Sequence, residues 1–151
     1  LEQGTCEDML KTLSQKNIAN YAPFTLLIFS KEKQHPHSVC WDGKNNLRKI
    51  KVASPFTSSG IDFPSVSQHR QDSYKALLEQ AKQKISSSLL FNFHSSHLPT
   101  KSMKSVCMHR EDAQTVSLSH VKIAQDKVDY TYWDGSPCNP KAKYIKTLSR
   151  S

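Results

Sequence analysis

The residues best suited to chemistry are concentrated between Ser105 and Val121, in the sequence SVCMHREDAQTVSLSHV. This stretch contains a thiol, two imidazoles, a guanidinium and two carboxylates. In an extended chain Cys107 and His109 lie on one face, because side chains alternate along a strand. Thiolate sulfur and imidazole nitrogen are ligands that zinc and iron accept readily. The spacing therefore raises metal ligation as a hypothesis.

A complete metal site would need ligands from elsewhere in the chain. A third ligand could come from Cys40, His94, His97 or His120. No ligand pair recurs at a spacing typical of zinc sites, and Arg110 would place a positive charge beside the ion. We therefore predict no metal ligand and no cofactor.

Nucleophilic catalysis by a cysteine is the second hypothesis. Cys107 has an imidazole and a guanidinium nearby in sequence, which could lower its pKa. A cysteine between Val106 and Met108 in a strand is more often packed and inert. The four cysteines, at positions 6, 40, 107 and 138, form no C-x-x-C pair, and no secretory signal is visible. We predict four free, reduced thiols and no catalytic residue in this chain.

The first third of the chain has the pattern of a helix followed by strands. Thr5 and Asp8 predict a capping box at the start of a short helix. The apolar run APFTLLIFS predicts a strand buried on both faces. A hairpin is predicted next, with its turn at Asp42-Gly43 and its returning strand from Leu47 to Val52.

The clearest helix begins near Asp62 or Ser65 and continues to about Ile85. Arg70 lies on the same helical stripe as Val66 and Tyr74, which is the stripe expected to face the core. An arginine there must extend to the helix edge, bond an acceptor or line a polar cleft.

Three strands are predicted after this helix, at Ser105–His109, Gln114–Ile123 and Lys127–Trp133. The resulting order favours a layered α+β protein with mainly antiparallel sheets. We expect one domain over residues 1–140 and a poorly ordered basic tail over 141–151. The two Trp-Asp-Gly triplets, at Trp41 and Trp133, are interpreted as strand ends with turns, not as an internal repeat.

The net charge is +8, from 21 Lys and Arg against 13 Asp and Glu. The lysines are scattered, so the charge does not indicate a nucleic-acid-binding element. No apolar run approaches the roughly 20 residues of a membrane span. We expect no nucleic-acid partner, no transmembrane segment and a cytoplasmic location, with an organelle lumen left open.

Several pieces, in order, resemble the C-terminal portion of the NRDE family, which is named for an Asn-Arg-Asp-Glu motif. The resemblance covers Tyr21 to Trp133, and the transport and Golgi organisation protein 2 group belongs to this family. The pieces that carry it are PFTLLIF, CWDGK, FTSSG, HRQDSYKALL, FHSSH, VCMHREDAQTVSLSHV and DYTYWDG.

The resemblance implies a fold similar to that of the N-terminal nucleophile hydrolases, in which helix layers enclose two antiparallel sheets in an α/β/β/α sandwich. It implies that this chain is an incomplete part of that fold, because it has no Asn-Arg-Asp-Glu run and Leu1 is no nucleophile. Cys6 is predicted on a helix and is not assigned that role. Ser58 stands where the hydrolases carry asparagine, which weakens an oxyanion role for the loop. The cleft-lining residues that the resemblance implies are Thr57, Ser58, Ser59, Arg70, Arg110, Thr115 and Ser117.

Three functions are proposed as hypotheses. The first, implied by the resemblance, is a trafficking role or the handling of haem, a lipid or another small anionic ligand. The second is an amide hydrolase whose cysteine nucleophile lies upstream of Leu1, which would make the full-length protein an enzyme. The third is a basic interaction module unrelated to either.

Overall fold

The computed structural model describes residues 5–30, 36–82 and 84–150. The chain divides into two compact units, which we call the N-terminal unit (Leu1–Phe56) and the C-terminal unit (Thr57–Ser151). Each unit contains one three-stranded antiparallel sheet, so the protein is α+β with two small sheets. The single domain expected over residues 1–140 stays a prediction beside this division.

The N-terminal unit contains helix α1 (Cys6–Gln15) and strands β1 (Phe24–Ile28), β2 (His37–Trp41) and β3 (Leu47–Lys49). The capping box predicted for α1 is confirmed, because the Thr5 hydroxyl accepts from the Asp8 amide and the Asp8 carboxylate accepts from the Thr5 amide. The predicted hairpin is also confirmed, with β3 shorter than expected.

Strand β1 does not have the burial that its apolar sequence predicts. It is an outer strand of the order β1-β2-β3, and Leu26 in its centre is 38% exposed. The buried side chains lie mainly on the central strand β2, at Ser38, Val39 and Trp41. The prediction of a strand covered on both faces is therefore wrong, because an apolar run does not distinguish a central strand from an edge strand.

The C-terminal unit contains helices α2 (Phe63–Gln80) and α3 (Ser87–Ser95) and strands β4 (Ser117–Ile123), β5 (Lys127–Asp134) and β6 (Ala142–Ser149). Helix α2 has Pro64 in its first turn, as predicted. Val66 on this helix is fully buried, and Tyr74 meets Phe93 of α3 edge to face, with ring centroids 5.3 Å apart. On the opposite side of α3, Phe91 packs against Trp133 of β5.

The sheet of this unit has a different third strand from the one predicted. Residues 105–109 form no strand and contribute a single bridge, between His109 and Gln114. The third strand is β6, which pairs with β5 over eight residues. The basic-tail prediction is therefore wrong. Its lysines are interspersed with Ala142, Tyr144, Ile145 and Leu148, residues 143–149 are exposed, and edge strands that carry lysine are common in natural sheets.

Among the described residues, no helix combines the length and the hydropathy required to cross a bilayer.

Candidate metal centre and adjacent cleft

Two imidazoles and two thiols of the C-terminal unit converge at one point. One ligand atom from each of four residues lies within 4.8 Å of all the others. The residues come from the segment after α3, from the segment before β4 and from the loop between β5 and β6. They are His97, Cys107, His109 and Cys138.

The measured sulfur-to-nitrogen distances match those of a tetrahedral zinc centre. His109 Nε2 lies 3.6 Å from Cys107 Sγ and 3.4 Å from Cys138 Sγ. A tetrahedron with Zn–S of about 2.3 Å and Zn–N of about 2.0 Å has sulfur-to-nitrogen edges of about 3.5 Å. The two thiols and the imidazole are therefore already separated as the ligands of a single zinc ion would be.

His97 provides an independent indication. Its Nε2 atom is buried and has no hydrogen-bond partner within the described residues. Buried polar atoms are nearly always bonded, so an orphan of this kind needs an explanation such as a bound ion. The His97 and His109 rings meet edge to face with centroids 5.0 Å apart, so the two imidazoles are direct neighbours.

Hydrogen bonds next to the ligands hold the contributing segments together. The Cys107 amide donates to the Ser96 carbonyl at 3.0 Å, which joins the segment of Cys107 to the residue before His97. The Ser95 hydroxyl donates to the Pro137 carbonyl at 3.1 Å, beside Cys138. The Ser136 hydroxyl donates to the Thr115 carbonyl. The cluster is thus supported by side chains that are not ligands themselves.

Arg70 fixes the segment that leads to Cys107. Its Nε and Nη2 groups donate to the carbonyls of residues 103, 104 and 105, at 3.2 to 3.4 Å. Its Nη1 group donates to the Thr57 hydroxyl at 2.6 Å and to the Ser58 carbonyl at 3.4 Å. Carbonyls that accept from a guanidinium are satisfied without a strand partner. This is why the segment need not form the strand that the sequence predicts.

Ser105 also holds the segment that leads to Cys107. Its side chain is fully buried, and its hydroxyl contacts the carbonyl oxygens of Ser102, at 2.6 Å, and Cys107, at 2.8 Å. The backbone on both sides of Ser105 is thereby held in a tight turn. The position of Cys107 is set by this turn and by Arg70 together.

The electrostatic environment favours ligands in their neutral or metal-bound forms. Burial raises the pKa of the Cys107 thiol, and the amide of Cys138, which donates to the sulfur, offsets this only in part. Burial, followed by the positive charge of Lys101, lowers the pKa of His109 and keeps its ring neutral, as a metal ligand must be. A divalent cation with two thiolates and two neutral imidazoles has no net charge, so the centre would bury no unbalanced charge.

The cluster bears directly on the sequence-based arguments against a metal. Arg110 donates to Asp112 at 2.8 and 3.1 Å, so its charge is paired by a carboxylate. Of the four proposed third ligands the fold brings only His97 to the cluster, while His94 and His120 line a separate small cavity and Cys40 belongs to the N-terminal unit. Cys138 is absent from the set of ligands that the sequence suggests. Its position in the turn sequence SPCNP after a strand is the one available signal.

A cleft lies beside the cluster, with an open cavity of about 430 Å³. It brings together four of the seven predicted cleft residues, Ser58, Ser59, Arg70 and Arg110. The cavity is completed by Gly60, Met103 and Met108. Met108 lies between the ligands Cys107 and His109 in the chain, so the segment that forms the cluster also forms a wall of the cleft.

The other three predicted cleft residues have different roles. Thr57 accepts from Arg70, and Thr115 accepts from the Met108 amide at 2.9 Å, so both hydroxyls support the cleft from behind. Ser117 is the first residue of β4 and is not among the residues that line the cavity.

Neither a protein-family model, nor a curated protein, nor a solved structure matches this chain.

Proposed function

We propose that the C-terminal unit is a zinc-binding domain whose Cys₂His₂ centre consists of His97, Cys107, His109 and Cys138. The observation that carries the proposal is the convergence of four ligand atoms within 4.8 Å. One of the contributing imidazoles also has a buried nitrogen that finds no hydrogen-bond partner in the described part of the chain. Four protein ligands leave no position for a substrate, so the centre is structural. Its role is to hold together segments that no regular secondary structure connects.

A thiol–imidazole catalytic pair is the main rival explanation. Cys138 and His109 are close enough for such a pair, at 3.4 Å. A pair would leave the buried Cys107 and the buried His97 Nε2 atom without a function, whereas a metal uses all four residues. The two explanations also differ in what each ligand substitution would do.

The test is the metal content of the purified chain and of matched variants. We expect one equivalent of zinc, measured by mass spectrometry of the metal. Tetrahedral ligand-field absorption should appear when cobalt replaces the zinc. H97Q, C107S and C138S should each weaken zinc binding at least 10-fold, on the order of what loss of a metal-site residue causes. H94Q and C40S are the controls, because neither residue belongs to the cluster.

Unchanged zinc affinity in H97Q, with loss in C138S alone, would contradict the four-ligand centre. The catalytic pair instead predicts rapid alkylation of Cys138 at neutral pH and no effect of zinc on its rate. Protection of Cys107 and Cys138 by one equivalent of zinc, with Cys40 unprotected, would support the metal centre.

We propose, as a second function, that the cleft beside the centre binds a small anionic ligand. The supporting observation is that the cavity collects Arg70, Arg110 and two serine hydroxyls in a volume of the size that ligands occupy. All five hydrogen-bonding positions of Arg70 already have protein acceptors, so this residue would supply positive charge without direct contact. Arg110, on the rim, would exchange Asp112 for the ligand.

Inorganic phosphate and haem are the probes for this cleft. Titration calorimetry should show binding of one of them to the intact chain and a loss of at least 10-fold in R110Q, because a charge-assisted bond is worth about 1.5–3 kcal/mol. R48Q in the N-terminal unit is the matched control. Equal affinity in R110Q and R48Q would count against a cleft site.

The resemblance to the NRDE family extends the proposal to the whole protein. On that basis the chain is the C-terminal portion of a sandwich related to the N-terminal nucleophile hydrolases, with a role in trafficking or in handling haem or lipid. The alternative is an amide hydrolase with its nucleophile upstream. The reading frame that encodes the chain tests both, because a Met-Cys start about a hundred residues upstream is expected under either, by analogy of fold. A reading frame without such a start would contradict both the trafficking or ligand-handling role and the amide hydrolase.

A further inference from the structure

The two thiols of the centre differ sharply in access to solvent. Cys138 is exposed, whereas Cys107 is 0% exposed. Cys138 lies in the loop between β5 and β6, and the loop is anchored at its ends by the bond from the Lys141 amide to the Asp134 carbonyl. One thiol can thus be reached by a reagent from solvent, and the other can be reached only by its neighbour.

The same two sulfurs are close enough to bond to each other. They lie within 4.8 Å, and the Cys138 amide contacts the Cys107 sulfur. A disulfide has a sulfur separation of about 2.05 Å, so a displacement of less than about 3 Å is required. Rotation of the Cys138 side chain together with a small shift of its loop is enough.

We propose that the zinc centre is a redox-controlled one, in which a peroxide oxidises Cys138, Cys107 forms a disulfide with it, and zinc is released. This inference rests on the proposed zinc function and adds its regulation. The exposed thiol is the attacking group and the buried thiol is the resolving group. The N-terminal unit's cysteines have no part in the reaction.

The reaction balances in two steps. The Cys138 thiolate attacks one peroxide oxygen, the O–O bond breaks, and the sulfur becomes a sulfenic acid while hydroxide leaves and takes a proton to become water. The Cys107 thiolate then attacks the Cys138 sulfur, the S–O bond breaks, and a second hydroxide leaves as water after protonation. Two thiolates lose two electrons to the peroxide. The zinc ion, left with two imidazoles, dissociates.

The experiment uses the C6S/C40S variant, in which Cys107 and Cys138 are the only thiols. Zinc content is measured before oxidation, and hydrogen peroxide is then added while released zinc is followed with a chromogenic chelator. We expect one equivalent of zinc to be released per disulfide formed. Peptide mapping should identify the Cys107–Cys138 link. Addition of a thiol reductant and zinc should restore the starting state.

Variants of the two thiols distinguish their roles. C107S cannot resolve the sulfenic acid, so a sulfenic-acid-specific reagent should label Cys138 in it. C138S should form no disulfide, and its remaining Cys107 should stay unlabelled at peroxide concentrations that release zinc completely from the parent.

The outcomes separate this inference from the zinc function itself. A protein that contains no zinc before oxidation refutes both proposals. Zinc that is bound but stays bound through oxidation, or zinc released with a sulfinic acid at Cys138 and no disulfide, refutes only the redox proposal. Labelling of Cys107 before Cys138 would reverse the assigned roles and overturn it as well.

Discussion

The triplet Trp-Asp-Gly occurs once in each unit, at the end of a strand that enters a hairpin, and the two copies are stabilised differently. After Trp41 the carboxylate of Asp42 accepts from the amides of residues 44, 45 and 46, at 2.8 to 3.1 Å, and so closes the five-residue loop to β3. After Trp133 the loop 135–141 is longer and delivers Cys138 to the cluster. Within residues 84–150 the Asp134 carboxylate closes no comparable ring of amides.

The two hairpins share one backbone feature, a glycine with positive φ directly after the Trp-Asp pair. Gly43 and Gly135 both have left-handed conformations, with φ of 78° and 85°. The local sequence therefore sets the entry to the turn in both cases. The rest of each loop differs, because the first loop is closed by the Asp42 side chain, whereas the second combines local backbone bonds with bonds to the distant residues Ser95 and Thr115.

The largest difference between the units should appear on removal of zinc. Each unit contains one of the two tryptophans. The W133F variant keeps only Trp41 and therefore reports on the N-terminal unit, whereas W41F keeps only Trp133 and reports on the C-terminal unit. A strong chelator should destabilise the C-terminal unit by about 2.7 kcal/mol or more if zinc was present at 100 times its Kd. Denaturant unfolding followed by Trp133 fluorescence should shift, and that followed by Trp41 should not. Equal shifts in both signals would show that zinc does not stabilise the C-terminal unit selectively.

The next largest effect should come from Arg70→Met. This substitution keeps the length of the side chain and leaves the carbonyls of residues 103 to 105 without their donor. We expect a loss of about 1–3 kcal/mol in the free energy of unfolding of the C-terminal unit. Zinc affinity should also fall, since the segment of Cys107 loses its anchor. A variant as stable as the parent would show that Arg70 is solvated and that the segment is held by Ser105 alone.

Substitution of Gly43 and of Gly135 by alanine should affect the two hairpins differently. Alanine in a left-handed conformation costs about 1–2 kcal/mol at either position. The added Cβ at Gly43 would lie 2.7 Å from Pro23 Cγ, whereas at Gly135 its nearest neighbour is the Asn139 carbonyl oxygen at 3.1 Å. G43A should therefore be the less stable variant, while only G135A should weaken zinc binding. Reduced zinc affinity in G43A would show that the comparison is wrong.

The smallest effect is expected at Asp42 under acid conditions. Hydrogen bonds from the amides of Lys44 and Asn46 lower the pKa of Asp42 below 3.8. A depressed carboxyl pKa stabilises the folded state above the unfolded pKa, and this contribution disappears as the pH falls through the folded value. D42A should therefore reduce the pH dependence of the stability of the N-terminal unit below about pH 4, and D134A should leave that dependence unchanged. Amide exchange of residues 44–46 measures the effect.

Local patterns predicted the elements whose hydrogen bonds are formed within a few residues. The capping box at Thr5, the hairpin at Asp42-Gly43 and the long helix with Pro64 in its first turn all belong to this class. The prediction failed for β1 and for the third strand of the second sheet. The first error concerns whether a strand is central or at an edge, and the second concerns which segments form strands at all, and apolar periodicity decides neither.

The candidate site shows the same limit. The Cys107 and His109 pair is visible in the sequence because alternation in a strand would put both on one face, although residues 105–109 form no strand. The other two ligands are not, since His97 lies in an irregular segment ten positions before Cys107, and Cys138 lies in a turn twenty-nine positions after His109.

The sequence by itself determined helices α1 and α2 and the hairpin turn at Asp42-Gly43, and the resemblance indicated four residues that line the cavity, Ser58, Ser59, Arg70 and Arg110. Only the tertiary structure decided that the lysine-rich end is a strand, that Arg70 serves the backbone of residues 103 to 105, and that four ligands meet. The physical reason is the sequence separation between the residues that make the contacts. Helix caps and tight turns are specified by contacts between near neighbours, whereas a metal centre built from loops exists only after the intervening elements have packed.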